Sequence, residues 1–312
     1  MRTGADPGPA NHFMQINLIP EKLRRLEIPG RVEIVNGHGQ LPLIQIHTPW
    51  SMAEIYLAGA HVAGFQKNGE PPLLFMSAQS HFAAGEPLRG GVPICFPWFG
   101  PRAGQPAHGL ARIRSWELAA ATVHDDAVTV RLHLPPAALP PEWSALRTEF
   151  IVTVAEQLTM ELIATNESKA ALEIENCLHT YFRVSDIGQV VLTGLRDAPF
   201  DDFAAGAAGA RQVEHDPGLH VTKEINRVYP GNIAAVEIHD AQWQRTIRVE
   251  KSHSESTVVW NPWTTQKLPD DFDPAEYRQM VCVESGNVKQ NKLSLAPGAT
   301  SSLKVVLRSE KC

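Results

Sequence analysis

Several features that mark binding partners or export are missing from this chain. Its 28 Lys and Arg residues form no basic block, and 34 Asp and Glu residues leave a net charge of −6. A nucleic-acid partner has no electrostatic support, because the phosphate backbone is bound through clustered positive charge. The longest apolar runs are too short to cross a bilayer, and residues 1–17 show no signal-peptide pattern. We expect a cytoplasmic protein without nucleic-acid or membrane partners.

Close-spaced metal ligands and cysteine pairs are also lacking. Cys95, Cys177, Cys282 and Cys312 lie far apart in the sequence, which argues against a zinc ribbon and a redox dithiol. The 13 histidines show no ligand spacing, so we expect no metal site. Without an export signal the thiols are expected to be reduced. We also expect no cofactor.

Convincing helical patterns are scarce, and alternation of apolar and polar residues dominates instead. Residues 20–26 are compatible with a short helix that begins at a proline, and residues 274–277 with a single turn. Strong alternation covers residues 128–134, 158–162, 246–250 and 303–307. Such strands bury one face and expose the other, as antiparallel sheets do.

The distribution of these segments predicts the architecture. Many short strands, few helices and no internal repeat predict an all-β fold, a large sandwich of antiparallel sheets. We expect a leader with a short helix in residues 1–30 and a single β-sandwich domain in residues 31–312. Residues 200–218 are rich in Ala, Gly and Asp and predict a surface loop.

Three distant apolar stretches each contain one polar residue that their surroundings do not explain, namely His108, His179 and Glu284. A polar group inside an apolar run costs free energy unless it is paired or used in chemistry. Together the three supply a general acid, a general base and a further donor, which suits proton transfer on a neutral substrate. Taken singly, His179 and Glu284 are equally well explained as solvent-exposed residues at strand ends, and His108 as a core histidine.

Alternation predicts which way these side chains point. Residues 174–182 predict a strand in which Cys177 and His179 share a face, with Leu178 opposite. In residues 280–284, Cys282 and Glu284 share a face and two valines point the other way. If the apolar residues face the core, His179 and Glu284 face a cleft.

Two arginines and a tryptophan complete the set of candidate site residues. The forked guanidinium of Arg89 suits a carboxylate or a phosphate, so an internal salt bridge remains an alternative. Arg112 is expected to open a strand in which it shares a face with Arg114. If Arg89 and Arg112 meet, they form a site for a dianion such as a sugar phosphate. Trp260 offers a flat face to a sugar ring, although most tryptophans serve as core residues.

Six motifs in order resemble those of the hexose-6-phosphate mutarotases, or glucose-6-phosphate 1-epimerases, of the aldose 1-epimerase superfamily. Each motif alone is weak, whereas six in the right order are highly specific. The resemblance runs from about residue 32 to residue 306. The motifs are Arg89-Gly90-Gly91-Val92-Pro93, Pro97-Trp98-Phe99-Gly100, His108-Gly109-Leu110-Ala111-Arg112, Leu178-His179-Thr180-Tyr181-Phe182, Trp260-Asn261-Pro262 and Cys282-Val283-Glu284.

The resemblance implies a β-supersandwich fold of the galactose mutarotase type and interconversion of the α and β anomers of a phosphorylated hexose. It implies that Glu284 is the general base that takes the proton of the anomeric hydroxyl. It makes His179 the general acid that protonates the ring oxygen. His108 would bond the sugar oxygens, and Arg89 with Arg112 would hold the phosphate.

Two positions depart from the pattern that the resemblance implies. Many relatives carry an aspartate where this chain has Asn226, and some carry a glutamine where it has Ala107. An amide still bonds a sugar hydroxyl but carries no charge, so the hexose preference is open. Asn226 and Trp260 are expected to contact the substrate. The expected partner is a small-molecule sugar phosphate, and the expected state is a monomer.

Other functions remain to be weighed. An epimerase of unphosphorylated aldoses needs His179 and Glu284 but not the arginines. A sugar-phosphate-binding protein without turnover is favoured only by Asn226. A glycosidase needs two carboxylates flanking the bond, and only one lies in a motif. A cysteine hydrolase is disfavoured, because Cys177 and Cys282 are small, core-compatible residues beside the acid and the base.

Overall fold

The computed structural model describes residues 19–266 and 268–311, and most of this part is β-structure. The α-helix α1 (Glu21–Arg24) has four residues and lies inside the range predicted to form a short helix. The rest of the predicted leader, up to residue 18, lies outside the described residues. Within the described ranges, no helix is long and apolar enough to cross a membrane.

The strands follow one another along the whole described chain. In order they are β1 (Val32–Asn36), β2 (Pro42–His47), β3 (Ser51–Tyr56), β4 (His61–Lys67), β5 (Ile94–Cys95), β6 (Glu117–His124), β7 (Ala127–Leu134), β8 (Leu146–Val154), β9 (Leu158–Asn166), β10 (Leu172–Ile174), β11 (Asn176–Leu178), β12 (Tyr181–Arg183), β13 (Val190–Thr193), β14 (Pro199–Asp202), β15 (Ala210–Val213), β16 (Leu219–His220), β17 (Ile225–Pro230), β18 (Val236–Asp240), β19 (Arg245–Ser252), β20 (Ser256–Asn261), β21 (Met280–Asn287), β22 (Leu293–Leu295) and β23 (Thr300–Lys311). Short 3-10 helices lie at His38–Gln40, Ala111–Ile113, Pro136–Ala138, Ile187–Gln189, Pro274–Gln279 and Lys289–Asn291.

The four strongly alternating segments all lie in one nine-stranded antiparallel sheet, ordered β16-β13-β18-β19-β23-β9-β8-β7-β6. They form β7, β9, β19 and β23, so the prediction is confirmed. In β9, Leu158, Met160 and Leu162 are fully buried, whereas the residues between them are partly exposed. Leu162 pairs with Phe150 of β8 and with Leu303 of β23. The buried residues therefore form one continuous apolar face.

A second sheet, of eight strands, carries the polar residues singled out in the sequence. Its order is β15-β14-β17-β20-β21-β11-β5, and β12 also pairs with β21. A four-stranded meander of β1 to β4 and the pair β10-β22 accompany the two large sheets. Ile44 of β2, Val152 of β8 and Val283 of β21 belong to one buried cluster. The core thus lies between the sheets, as predicted for a sandwich of antiparallel sheets.

The predicted faces of β21 are confirmed. Val281 and Val283 pack in the main core, whereas Cys282 packs in a separate cluster with Tyr181. Glu284 is on the same side as Cys282 because side chains alternate along a strand. Strand β21 therefore contributes side chains both to the main core and to the opposite face of its sheet.

The strand predicted to begin at Arg112 is wrong, since residues 111–113 form a 3-10 turn. Two left-handed residues precede it, His108 with φ 61° and Gly109 with φ 79°. The N–H groups of Leu110 and Ala111 then donate to the carbonyl of Phe96 rather than to a neighbouring strand. A Cβ atom on Gly109 would lie 2.1 Å from that carbonyl oxygen, so this path requires glycine.

The continuous strand predicted for residues 174–182 is also wrong. β10 ends at Ile174 in the two-stranded sheet, and His179 with Thr180 separates β11 from β12. At the break the N–H of Thr180 donates to the carbonyl of Leu178 at 3.0 Å, two residues back along the chain, rather than to a neighbouring strand. Both flanking strands keep one register on β21, so the ladder resumes after the break.

The surface loop predicted for residues 200–218 is only partly correct. β14 and β15 pair there as an antiparallel hairpin, and Phe200 is buried against Tyr229. The Ala- and Gly-rich part forms the turn between the two strands. The buried Phe200 anchors this segment of small residues, and the hairpin therefore extends the sheet.

Candidate active site

One cavity of about 710 Å³ opens on the face of the eight-stranded sheet. Strands β17, β20 and β21, which are neighbours in that sheet, supply part of its wall, and loops supply the rest. The seven side chains selected from the sequence all line this cavity: His179, Glu284, Arg89, His108, Arg112, Asn226 and Trp260. The fold thus gathers residues that are widely separated in the sequence.

His179 and Glu284 are in direct contact at the buried end of the cavity. The Nε2 atom of His179 lies 3.2 Å from Oε1 of Glu284, and the glutamate side chain is 1% exposed. The other carboxyl oxygen of Glu284 accepts a weak hydrogen bond from Sγ of Cys177 at 3.5 Å. The backbone N–H of His179 donates to the carbonyl of Pro93 at 3.0 Å. Both partners are therefore held in place by their neighbours.

Burial disfavours charge on both members of this pair. Burial raises the pKa of Glu284 well above its usual value. Burial is the main cause that lowers the pKa of His179 well below its usual value, and the nearby groups His108, Arg112 and Arg89 act in the same direction. A neutral histidine beside a protonated carboxyl holds as many protons as an imidazolium beside a carboxylate. The pair therefore carries one mobile proton, and burial favours the arrangement in which neither group is charged.

His108 is a neutral hydrogen-bond donor in this cavity. Burial, followed by the positive charges of Arg112, Arg89 and Lys289, lowers the pKa of His108 to about 3. Its Nδ1 atom accepts the N–H of Gly100 at 3.4 Å. The proton of the neutral ring is therefore on Nε2, which is available to a substrate oxygen.

Arg89 makes the salt bridge that its sequence context left open. Its Nε lies 3.2 Å from Oδ1 of Asp271, and its side chain also hydrogen-bonds the phenol of Tyr181. The guanidinium still lines the cavity. Asp271 therefore orients Arg89 and offsets part of its charge.

Arg112 has no such carboxylate partner within the described ranges. One of its terminal nitrogens, Nη2, donates to the carbonyl of Ala107 at 2.8 Å, and its buried Nε has no hydrogen-bond partner in this part of the chain. Burial, as the main cause, lowers the pKa of Arg112, and the charge of Arg89 acts in the same direction. Arg112 thus lies in the positive field of Arg89, and both guanidinium groups line the same cavity.

Asn226 and Trp260 face each other across two strands. They are register partners in β17 and β20, and both line the cavity. The indole Nε1 of Trp260 donates to Oε1 of Gln266 at 3.0 Å, and its ring meets His179 edge-on at 6.2 Å. Trp260 therefore fits both roles considered from the sequence. It packs on neighbouring rings as a core residue does, and it borders the cavity as a sugar-binding residue would.

Two further lining residues were not selected from the sequence. The ring of Tyr181 stacks on that of His179, with centroids 4.8 Å apart and an angle of 15°. The sequence contained a signal for Tyr181, because a residue two positions after His179 in an extended apolar run is expected on the same face. Lys289 is exposed at the mouth, between the rings of Phe99 and Phe203. Its left-handed backbone, φ 56°, has no signature in the sequence.

A family model described as Aldose 1-epimerase matches residues 42–308. The chain belongs to the aldose 1-epimerase family. It is therefore a carbohydrate epimerase, an isomerase that acts at the anomeric carbon. The resemblance seen in the motifs is confirmed, and the match covers most of the sandwich.

Named relatives of this epimerase come from bacteria and plants. A Salmonella typhimurium protein named "Putative glucose-6-phosphate 1-epimerase" is 35% identical over 256 residues, which cover 78% of this chain and 83% of that protein. A Cenchrus ciliaris protein of the same name is 33% identical over 263 residues, covering 79% and 78% of the two chains. The crystal structure of a Salmonella typhimurium protein described as a "putative mutarotase" has a TM-score of 0.81 at 29% identity. It covers 93% of this chain and 99% of that one. The predicted fold class is confirmed.

Proposed function

We propose that this epimerase interconverts the α and β anomers of a hexose 6-phosphate, with glucose 6-phosphate as the first substrate to test. The names of its curated relatives support this substrate class. The observation that carries the proposal is Arg112, whose charge lies in the cavity wall without a carboxylate partner in the described part of the chain. A phosphate would supply the missing anion in a geometry that a guanidinium favours.

The acid–base pair would open and close the sugar ring. Glu284, as the carboxylate, takes the proton of the anomeric hydroxyl, and His179, as the imidazolium, gives a proton to the ring oxygen. The bond between C1 and the ring oxygen breaks, and a carbonyl forms at C1. Rotation about the adjacent carbon–carbon bond exposes the other carbonyl face. Closure by the reverse transfers yields the other anomer and restores the pair.

The spacing of the pair suits this chemistry. The anomeric oxygen and the ring oxygen are bonded to one carbon, so a donor and an acceptor must lie close together to reach both. The closest atoms of His179 and Glu284 are 3.2 Å apart. Each proton transfer of this kind contributes typically ~10²–10⁴-fold to the rate.

The other lining residues would orient the sugar. The Nε2–H of His108 would donate to a ring or hydroxyl oxygen, and the amide of Asn226 would bond a hydroxyl without adding charge. The face of Trp260 would lie against the apolar side of the ring. Arg89 and Arg112 would bind the phosphate at the opposite end of the substrate.

Anomer exchange measured by magnetisation-transfer NMR tests the proposal. Glucose 6-phosphate, galactose 6-phosphate, glucose and galactose are compared at one enzyme concentration. We expect faster exchange for the phosphorylated sugars only. Faster exchange of the free sugars alone would instead favour an epimerase of unphosphorylated aldoses. No acceleration of any sugar would leave a binding protein and overturn the proposed activity.

The phosphate role of Arg112 has a matched control. We expect Arg112→Ala to raise KM for glucose 6-phosphate roughly 10-fold or more, the usual cost of losing a charge-assisted hydrogen bond. Arg114, two residues away, donates to the carbonyl of Ala138 at 2.8 Å and does not line the cavity. Arg114→Ala should leave KM nearly unchanged. Equal KM changes in the two variants would remove the phosphate role of Arg112.

A further inference from the structure

A thiol lies beside the acid–base pair. Ligand atoms of His179, Cys282 and Glu284 all lie within 4.8 Å of one another, and all three residues are buried. Cys282 and Glu284 are on one face of β21, and Cys282 is the register partner of Tyr181 in β12. The segment of His179 is therefore fixed against the same strand. One imidazole, one thiol and one carboxyl thus lie together. The imidazole and the carboxyl line the cavity, and the thiol packs beside Tyr181.

This set of donor atoms is of the kind that Zn²⁺ prefers. Zinc binds imidazole nitrogen, thiolate sulfur and carboxylate oxygen, and sites with three protein ligands keep one position open. Ligands of a tetrahedral zinc ion are roughly 3.3–3.7 Å apart, given bonds of about 2.0–2.3 Å. The closest atoms of His179 and Glu284 already lie 3.2 Å apart. The sulfur of Cys282 lies within 4.8 Å of a ligand atom of each of the other two residues.

We propose that His179, Cys282 and Glu284 form an inhibitory binding site for Zn²⁺, with the fourth position open to the cavity. The inhibition rests on the proposed function, because the ion occupies both the acid and the base of the epimerase reaction. Binding of the ion itself does not rest on it.

The charge balance suits a divalent ion, and the donor atoms favour zinc over magnesium and calcium. Binding releases the thiol proton of Cys282 and the mobile proton of the His179–Glu284 pair to solvent. The complex then holds Zn²⁺, one thiolate, one carboxylate and one neutral imidazole, so its net charge is zero. A neutral complex suits a buried site, where an isolated charge is costly. Mg²⁺ and Ca²⁺ prefer oxygen ligands and have little use for the sulfur and nitrogen.

Absorption spectroscopy with Co²⁺ tests the site without using any sugar. Co²⁺ bound to a thiolate gives a sulfur-to-metal charge-transfer band, and Zn²⁺ should displace it. We expect the band in the full-length protein, in Cys177→Ala and in Cys312→Ser, and its loss in Cys282→Ala. Cys177 is the matched control, because its Sγ contacts the other oxygen of Glu284 at 3.5 Å. No band in the wild type, or an unchanged band in Cys282→Ala, overturns the proposal.

Zinc titration of glucose 6-phosphate anomer exchange tests the inhibition. Zn²⁺ should slow exchange in the wild type, and a chelator should restore it. Cys282→Ala should need at least about 10-fold more Zn²⁺ for the same effect, since even indirect ligand partners are worth that much in affinity. Equal sensitivity of the two proteins overturns the inhibitory role. If Cys282→Ala does not fold, the combined Cys95→Ala, Cys177→Ala and Cys312→Ser variant must keep the cobalt band, and its loss overturns the site.

Discussion

At the scale of single residues, Glu284 shows how burial and proton transfer go together. Its carboxyl is 1% exposed and contacts Nε2 of His179 and Sγ of Cys177. We expect Glu284→Gln to keep the fold and to slow anomer exchange by ~10²–10⁴-fold, because the amide cannot take a proton. Circular dichroism checks the fold, and magnetisation-transfer NMR measures the rate. A wild-type rate in the folded variant would exclude Glu284 as the base.

Tyr181 links Arg89, which we propose binds the phosphate, to His179, which we propose is the acid. Its ring stacks on His179, and its hydroxyl bonds the side chain of Arg89. Tyr181→Phe keeps the ring, so we expect a higher KM for glucose 6-phosphate with kcat nearly unchanged. Tyr181→Leu removes the stacking as well, and kcat should fall by roughly 2–10-fold, the worth of an aromatic pair. Steady-state kinetics separate the two effects, and identical KM and kcat in both variants would refute the positioning role.

The sequence could predict these positions because chemistry at a site needs unusual residue types. His179, Glu284 and Arg112 are each conspicuous in an apolar setting. The sequence could not predict that Asp271 would pair with Arg89, because ion pairs between distant segments depend on the fold. The same holds for the thiol of Cys282, which became a neighbour of His179 only through strand pairing.

At the scale of strands, Lys251 reaches from β19 to β20. Its ammonium group donates to Oγ1 of Thr257 and to Oδ1 of Asn232, and no carboxylate forms an ion pair with it in the described part of the chain. Burial is the main cause that lowers the pKa of Lys251 from 10.5 to about 7. The folded protein thus resists protonation of a group that the unfolded chain protonates readily.

The resulting pH dependence has a definite sign. Between pH 7 and 10.5 the unfolded chain binds more protons at Lys251 than the folded one, so stability rises with pH there and is lost as pH falls through 7. We expect Lys251→Met to remove this rise in stability with pH. The hydroxyl of Thr257 donates to Oδ1 of Asn232 at 2.9 Å, and we expect the variant to keep this bond. Urea unfolding at pH 7 and 8.5 measures the effect.

A neighbouring lysine provides the control for this prediction. Lys304 is exposed on β23, opposite Ser252 of β19. Lys304→Met should show the same change in unfolding free energy between pH 7 and 8.5 as the wild type. A wild-type pH dependence in Lys251→Met would mean that Lys251 is already charged in the fold.

Strand patterns were predictable where one face is core and the other is solvent. β7, β9, β19 and β23 meet that condition, and their alternation was visible in the sequence. The strands next to the candidate site, β11 and β21, were not predictable in this way. Every residue in them is buried, so burial does not alternate along the strand. The break at His179 is accompanied by a local hydrogen bond, for which sequence periodicity carries no signal.

At the scale of the whole molecule, we propose that residues 31–312 form one domain. The main core cluster contains residues of the four-, eight- and nine-stranded sheets. No one of these sheets can therefore unfold without exposing core residues of the other two. We expect a single thermal transition, with calorimetric and van't Hoff enthalpies in agreement. Differential scanning calorimetry checks this, and glucose 6-phosphate should raise Tm as a ligand of the folded state. Two resolved transitions would contradict a single domain.

Strand β21 has a consequence for the evolution and engineering of this enzyme. Val281 and Val283 fill the core from one side of the strand. On the other side Glu284 lines the cavity and Cys282 packs against Tyr181. A substitution that repacks the valines shifts the same backbone that aims the carboxylate. Selection for heat resistance along this strand will therefore also alter turnover, so variants that improve one property independently should arise in the nine-stranded sheet.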